Sequence, residues 1–247
     1  MSVSDQERMV VERRPGGWLA PGSLRGLDWL CRVGPAPVEA WGCAMGWSRS
    51  AGFRHAQRLV AQGWVARVAT VWGHGSLLVP TRSGVRMSGL PVTAALEPAP
   101  TWWAHLQACA WTAAWMTVRG RPMLGCREID ADPSWSGVLR WRDNKGSHQV
   151  GHRPDLVWAP EGGRAAIEVE LARKSTPRLD AVLGLHAGWR AAGKTGGVIY
   201  VCADQTGCER VRRVAVKHGL SPEPGGGLRV ETLAHVTLTR PDCRRRR

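Results

Sequence analysis

The segment from His152 to Ser175, HRPDLVWAPEGGRAAIEVELARKS, decides the fold of the C-terminal part of the chain. Two apolar stretches, DLVWA and RAAIEVEL, flank a PEGG sequence at residues 160–163, a pattern typical of a β-hairpin. Because side chains alternate between the two faces of a strand, Glu168 and Glu170 share one face, and the apolar residues around them share the other. The segment therefore predicts a hairpin with acidic side chains on one face.

Two registers of this hairpin fit the turn sequence. A turn centred on Glu161-Gly162 places Asp155 opposite Glu168, whereas a turn centred on Gly162-Gly163 places Asp155 opposite Glu170. In both registers three carboxylates converge, and like charges that face each other across a strand pair destabilise it. The hairpin therefore needs a compensating positive charge.

A divalent cation would supply that charge. We expect Asp155 and Glu168 to hold Mg²⁺ or Mn²⁺, because hard divalent ions prefer oxygen ligands. Such an ion lowers the pKa of a bound water and stabilises the charge that develops on phosphorus during phosphodiester hydrolysis. The alternative is a solvated strand face on which Arg153, Arg173 and Lys174 neutralise the carboxylates without a metal.

The overall charge indicates a polyanionic partner. The 247 residues include 34 lysines and arginines against 20 aspartates and glutamates, which gives a formal net charge of +14. Double-stranded DNA is the leading expectation, whereas RNA or ribosome binding would rest on charge alone. The N-terminus lacks the apolar core of a signal peptide and no stretch approaches a membrane span, so we expect a cytoplasmic protein with no membrane partner.

The N-terminal third is predicted to form a small helical unit followed by a hairpin. After a loose arm at residues 1–22, Ser23 is a candidate N-cap for a first helix, and a short helix follows at 38–44. Ser48 then caps a third, basic helix that ends at Gly63. The stretches WVARVATV and SLLVPT form the hairpin around Gly73-His74-Gly75.

This order of elements over residues 23–90 resembles a winged helix-turn-helix domain. The resemblance implies that the helix at 48–62 reads the major groove of DNA and that the hairpin is a wing near phosphates. The predicted DNA contacts are Arg49, Ser50, Arg54, His55 and Arg58 on the helix, Arg67, His74 and Arg82 around the wing, and His152 and Arg153 beside the acidic hairpin. The alternative is a helical protein-interaction module with a solvated basic face.

A Pro/Ala-rich connection at residues 91–100 predicts a boundary before a second domain at 101–240, which a basic tail at 241–247 follows. In this domain a helix at 102–118 precedes a strand, PMLGCREID, that carries Glu128. After the acidic hairpin come a helix at 177–192, the buried-strand sequence GGVIYVCAD, the basic helix CERVRRVAVKHGL and a last strand, LRVETLAHVTL. Strands alternating with helices predict a mixed α/β sheet.

The order helix, acidic strand, acidic hairpin and helix resembles the core of PD-(D/E)xK nucleases. Pro154-Asp155 matches the PD, and Glu168-Val169-Glu170 stands at the (D/E)xK position, so Glu170 replaces the lysine, as in some type II restriction enzymes. The resemblance implies that Asp155 and Glu168 hold the metal and that Glu128 is an extra acid. Glu170, or Lys174 reaching back, would orient the attacking water. The implied activity is that of a Mg²⁺-dependent endodeoxyribonuclease or nickase.

The whole layout is similar to the replication-relaxation family of proteins, which plasmids and integrative elements encode, mainly in actinobacteria. The matching features over roughly residues 23–236 are the winged helix, His105-Leu106, the REI at 127–129, HRPDLVW, the EVEL at 168–171 and the GVIYV strand. The resemblance implies a role in plasmid replication or transfer, with replication or conjugation proteins as partners. A DNA-binding adaptor or regulator with an inactive nuclease fold is the alternative, since the lysine is missing.

Overall fold

The computed structural model describes residues 19–69, 75–94, 98–161 and 163–237. The predicted wing residue His74, most of the predicted arm at 1–22 and the predicted basic tail at 241–247 lie outside these residues. The end of the predicted arm is helical, because the first helix begins at Pro21, a residue type that suits the first turn of a helix. Ser23 therefore lies inside this helix and is not its N-cap.

The N-terminal unit contains four helices and a small antiparallel sheet. Its strand order is β1-β3-β2, so the short first strand, which the sequence did not predict, pairs with the second strand of the hairpin. In chain order the elements are α1 (Pro21–Val33), β1 (Ala36–Pro37), α2 (Val38–Ala44), α3 (Arg49–Ala61), β2 (Val65–Ala69), β3 (Ser76–Pro80) and α4 (Arg82–Ser88).

Helix α3 begins where the sequence predicts. The Ser48 hydroxyl accepts a hydrogen bond from the Ala51 amide, which satisfies one of the free N–H groups of the first turn. The buried side of α3 is narrow and consists of Gly52, Ala56 and Leu59. Val60, the next residue after Leu59, is 36% exposed.

The C-terminal part is a mixed α/β structure, as predicted. In chain order its elements are a 3₁₀ turn (Pro100–Trp102), α5 (Trp103–Val118), β4 (Met123–Leu124), α6 (Cys126–Ala131), a 3₁₀ turn (Pro133–Trp135), β5 (Gly137–Asp143), β6 (Gly146–His152), β7 (Leu156–Trp158), β8 (Ala165–Glu170), α7 (Thr176–Ala191), β9 (Gly197–Cys202), α8 (Gln205–Ala215), a 3₁₀ turn (Val216–His218), β10 (Leu228–Thr232) and α9 (Leu233–Val236).

The five-stranded sheet has the order β10-β9-β8-β7-β4. Strands β8, β9 and β10 are parallel, whereas β7 is antiparallel to both of its neighbours. Ile167 and Val169 of β8 pack on the side of α5, and Ala166 packs on the side of α7 and α8. Since side chains alternate along the strand, Glu168 and Glu170 lie on the α7 side.

Two predicted strands are shorter than expected. Only Met123–Leu124 of the PMLGCREID stretch is a strand, because Gly125 starts α6 and the side chain of Glu128 bonds back to its amide at 2.9 Å. Likewise the last strand ends at Thr232, whose hydroxyl accepts a hydrogen bond from the His235 amide and so begins α9. In both places a helix cap overrides an apolar pattern that suits either structure.

One apolar cluster extends from the N-terminal unit into the sheet of the C-terminal part. It includes Leu27 and Trp41 from α1 and α2, Trp115 from α5, and Ile167 and Ile199 from the central strands. The 91–100 segment therefore connects two parts that share a core. The division into two folding domains stays a prediction.

Candidate functional site

The acidic hairpin adopts the first of the two predicted registers. Leu156 pairs with Ile167, and the Asp155 amide donates to the Ile167 carbonyl at 3.0 Å, so Asp155 stands opposite Glu168. The alternation of side chains fits both registers, so the observed strand pairing is what distinguishes them.

The acidic side chains of β8 are buried. Glu168 is 2% exposed and Glu170 is 9% exposed, because β8 lies in the middle of the sheet with helices on both faces. The two glutamates are therefore not on a solvated strand face, whereas neutralisation of the carboxylates without a metal stays open. Buried carboxylates must be paired or hydrogen-bonded, so the identity of their partners decides what the site can do.

Asp155 bonds toward α5. Its Oδ1 lies 2.9 Å from Nε2 of His105, and its Oδ2 accepts a hydrogen bond from the Val169 amide at 2.7 Å. The hydrogen bond to Asp155 raises the pKa of His105, although burial opposes this effect. The thiol of Cys109, one helical turn further along α5, lies 3.5 Å from the same His105 nitrogen.

Glu168 bonds toward β6 and α7. Its Oε1 lies 2.8 Å from Nε2 of His152, the last residue of β6, and 2.9 Å from Nε2 of His186 on α7. Burial alone would raise the pKa of Glu168, but the hydrogen bonds from the two histidines outweigh it and hold this pKa well below its usual range. Glu168 is therefore a carboxylate at neutral pH.

Glu170 has a third set of partners. Its Oε2 accepts a hydrogen bond from Nζ of Lys174 at 3.1 Å, and Nη1 of Arg210 on α8 lies 3.8 Å from its Oε1. Lys174 thus contacts Glu170, which stands at the lysine position of the PD-(D/E)xK pattern, and the role of either residue in orienting a water stays a prediction.

The three carboxylates are neighbours, but each one has its own cationic or imidazole partners. Within residues 19–69, 75–94, 98–161 and 163–237, the potential metal-ligand groups are His105–Cys109–Asp155 and His152–Glu168–His186, so Asp155 and Glu168 fall into different groups. Joint metal binding by Asp155 and Glu168 stays a prediction.

Two other predicted residues lie in separate ion pairs. Oε2 of Glu128 lies 2.9 Å from Nε of Arg32 and also bonds the start of α6, so Glu128 connects α6 to α1 rather than completing the acidic cluster. Arg153 is exposed, and its Nη1 lies 3.6 Å from Oδ1 of Asp130.

The predicted DNA contacts of α3 divide into two sets. Arg49, Ser50, Arg54 and Arg58 are exposed. His55 instead turns inward, where its ring stacks on Trp47 at 4.0 Å between centroids and its Nδ1 lies 2.7 Å from the Ser23 hydroxyl. The side chain of His55 is thus held against α1 rather than presented to a DNA groove.

The hairpin also presents basic side chains. Arg67 on β2 is exposed, and its Nε donates to the Ser76 hydroxyl across the strand pair at 2.6 Å. Arg82 is exposed at the start of α4. Both side chains are therefore free to approach a phosphate.

Sequence analysis did not assign a role to His186, Cys109 or Arg210. His186 shares the buried side of α7 with Leu179, Val182 and Leu183, spaced at i, i+3, i+4 and i+7. A histidine at a core position of an amphipathic helix is a signal that a polar partner faces it. The family resemblance includes His105, but the sequence does not predict its contact with Asp155.

Comparisons with known proteins give no family. No family model matches the chain, and no curated protein matches it. A solved structure, the crystal structure of protein VC1899 from Vibrio cholerae, matches with a TM-score of 0.31 and 10% sequence identity over 92% of this chain. The chain spans 56% of the length of that protein. Among the helices that the structure describes, none is long and apolar enough to cross a membrane.

Proposed function

We propose that this protein binds double-stranded DNA through α3 and the β2–β3 hairpin and cleaves or nicks DNA at the acidic cluster of β7 and β8. The observation that carries the proposal is the pairing of Asp155 with Glu168, with the Lys174 ammonium on Glu170 beside them. This arrangement has the elements of the PD-(D/E)xK pattern that the sequence resembles, with the lysine supplied from the next turn.

The order of the N-terminal elements supports the DNA-binding half of the proposal. The elements follow in the order helix, strand, helix, helix and hairpin, and the first strand pairs at the edge of the hairpin. This order resembles that of a winged helix. The third helix exposes Arg54 and Arg58 together with Ser50 at intervals of about one helical turn. A basic helix face of this kind suits the major groove, while Arg67 and Arg82 suit flanking phosphates.

The acidic cluster supports the cleavage half. A divalent ion there would activate a water and neutralise charge on the scissile phosphate. The Lys174 ammonium, held by Glu170, is placed to orient a water or a phosphate oxygen, and the exposed Arg153 adds positive charge beside His152. The low pKa of Glu168 keeps it ionised and ready to accept a cation.

The available ligand atoms do not fit Mg²⁺ held jointly by Asp155 and Glu168. Both oxygens of Asp155 are engaged, by His105 and by the Val169 amide, and two imidazole nitrogens face Glu168. Mg²⁺ prefers an octahedron of oxygen ligands. Magnesium at this pair of residues is therefore implied by the sequence resemblance alone, and no catalytic step is assigned to it.

Incubation of supercoiled plasmid with the full-length protein and Mg²⁺ or Mn²⁺ tests the cleavage proposal. We expect relaxed or linear product, which disappears in the Asp155→Ala and Glu168→Gln variants. Glu223→Gln is a matched control, because Glu223 is exposed in the turn before β10. Absence of product with either ion, or equal cleavage by Asp155→Ala, would exclude a nuclease that works through this site.

A second function, a DNA-binding adaptor or regulator without catalysis, is favoured by one specific observation. Each of the three carboxylates already has its own partner, so the cluster is neutralised without an added ion. In this case duplex binding survives Glu168→Gln and collapses when Arg49, Arg54 and Arg58 are replaced by glutamine. Fluorescence anisotropy with a labelled duplex measures both. Unchanged binding by the triple variant would remove α3 from the interface.

For either function we propose a role in the replication or transfer of a plasmid or integrative element, with replication or conjugation proteins as partners. This proposal rests on the resemblance to the replication-relaxation family. Deletion of the gene from its host element should lower plasmid copy number or transfer frequency, and complementation should restore it. Unaltered maintenance and transfer after deletion would contradict this role.

A further inference from the structure

We propose that His152, Glu168 and His186 form a binding site for one transition-metal ion of the zinc type. Two imidazole nitrogens converge on one carboxylate oxygen, at 2.8 Å from His152 and 2.9 Å from His186. The three ligand atoms all lie within 4.8 Å of one another. The three atoms are therefore close enough together to be candidate ligands of a single ion.

The two nitrogen–oxygen separations resemble those between neighbouring ligands of one ion. Zinc lies about 2.0–2.2 Å from nitrogen and oxygen ligands, which puts neighbouring ligands about 2.9 Å apart in an octahedron and about 3.4 Å apart in a tetrahedron. The observed 2.8 Å and 2.9 Å contacts are close to the first value. Binding of the ion would replace the two hydrogen bonds to Glu168, and both imidazole rings would turn from the carboxylate oxygen toward the ion.

The donor atoms select the kind of ion. Imidazole nitrogen suits zinc, iron, nickel and copper, whereas magnesium requires oxygen. The Glu168 carboxylate would supply negative charge to the ion, which imidazole ligands do not. Zinc and non-haem iron enzymes use a ligand set of this kind, which consists of two histidines and one carboxylate with open positions on the metal.

The ligands come from three different elements, which fixes their positions but leaves one side accessible. Glu168 lies on the central strand β8, His186 is fully buried on α7, and His152 ends the β5–β6 hairpin. The side chain of His152 is 13% exposed, so an ion can enter from its side. Three protein ligands with an open position are typical of catalytic rather than structural zinc sites.

A neighbouring hydroxyl supports a site with a bound water. Tyr200 pairs with Glu168 in the β8–β9 register, so their side chains share a face of the sheet. The Tyr200 hydroxyl is buried and lacks a hydrogen-bond partner among the described atoms. Burying such a group without a partner costs free energy. A water on the proposed ion would offer it one.

The second ligand group, His105–Cys109–Asp155, is a weaker candidate. Burial raises the pKa of Cys109 well above its ordinary value, so the thiol stays protonated and is a poor ligand. One oxygen of Asp155 is also held by the Val169 amide. His105 therefore serves as an internal comparison for the proposed site.

The inference deepens the proposed cleavage function by naming the ion, and it rests on that function only for the claim that the ion serves catalysis. Binding of the ion does not depend on cleavage. A protein that binds Zn²⁺ at this site but never cuts DNA would retain the metal site and lose the nuclease. A protein that cuts DNA with Mg²⁺ but never binds Zn²⁺ would retain the nuclease and lose the metal site.

Titration of the metal-free, full-length protein with Zn²⁺ against a chromophoric chelator tests the site. We expect one equivalent to bind tightly in the wild type. Loss of a residue that only hydrogen-bonds a metal ligand typically lowers metal affinity by roughly 10–100-fold. The affinity for Zn²⁺ should fall by more than this in His152→Ala and in His186→Gln. It should stay unchanged in His105→Gln and in His148→Gln, since His148 bonds Asp143 at the far end of the β5–β6 hairpin.

A further readout keeps the test decisive. Co²⁺ bound through imidazole gives visible absorption bands, which should appear in the wild type and weaken in His152→Ala. This variant changes the most exposed of the three ligands, so it carries the test if His186→Gln does not fold. No stoichiometric Zn²⁺ binding, equal affinity in all variants, or loss only in His105→Gln would overturn the proposal.

Discussion

At the scale of single residues, His55 shows how an apparent DNA contact becomes part of the fold. Its position on α3 is suitable for a groove contact, yet its ring lies on Trp47 and bonds to Ser23 in α1. Burial, followed by the positive charges of Arg58 and Arg54, lowers the pKa of His55. The neutral imidazole is therefore the form that packs between α1 and α3.

This lowered pKa makes the stability of the protein depend on pH. As pH falls through about 6.5, the unfolded chain takes up a proton at His55 before the folded chain does, so the contribution of His55 is present above that pH and lost below it. Wild type should therefore lose stability relative to His55→Gln as pH falls from about 7.5 to about 5.5. Urea unfolding of both proteins at several pH values measures the difference, and a difference that does not change with pH would contradict the prediction.

The same scale shows what a sequence can and cannot reveal about the acidic cluster. That Asp155 faces one of the two glutamates follows from side-chain alternation and a short turn, both of which are local, but the choice of Glu168 over Glu170 does not. The partners are not local: His105 precedes Asp155 by 50 positions, and His186 follows Glu168 by 18. Only the packing of α5 and α7 on opposite faces of the sheet brings them to these carboxylates.

At the scale of elements, the junction of α1 with α6 explains why Glu128 is not in the cluster. The start of α6 lies directly against the end of α1, and Arg32 bonds both to Glu128 and to the Met123 carbonyl, at 2.9 Å and 2.7 Å. A sequence pattern cannot distinguish an acid that caps a helix from an acid at the end of a strand when the stretch is this short. The contact depends on a glycine at position 125.

We expect Gly125→Ala to destabilise the protein by at least about 1–3 kcal/mol, the usual cost of overpacking a buried site. A Cβ atom at this position would lie 2.2 Å from the Arg32 carbonyl oxygen, so α6 would have to move away from α1. Gly188→Ala is the matched control, since a Cβ there meets nothing within 4 Å and alanine favours helix α7 by up to about 1 kcal/mol. Denaturant unfolding compares the two, and equal stabilities would show that the α1–α6 contact is not tight.

At the scale of the whole molecule, helix α5 connects the unit proposed to bind DNA with the site proposed to cleave it. It packs on the N-terminal unit through the shared apolar cluster, and it carries His105, which bonds Asp155. The basic helix α3 and the acidic cluster therefore belong to structures that share one core. DNA held by the first would meet the second in a fixed geometry rather than through a flexible linker.

The net charge of +14 gives the last prediction, because each phosphate contact releases counterions and makes binding fall with salt. If Arg49, Arg54 and Arg58 each contact a phosphate, replacing all three by glutamine should make the slope of log Kobs against log salt shallower by up to about 2.7, or roughly 0.9 for each contact. Arg140, Arg142 and Lys145 are exposed on the β5–β6 hairpin, and replacing them removes the same charge elsewhere. Equal slopes for the two triple variants would show that DNA binding responds to the total charge of the protein. A shallower slope for the α3 variant alone would assign the phosphate contacts to that helix.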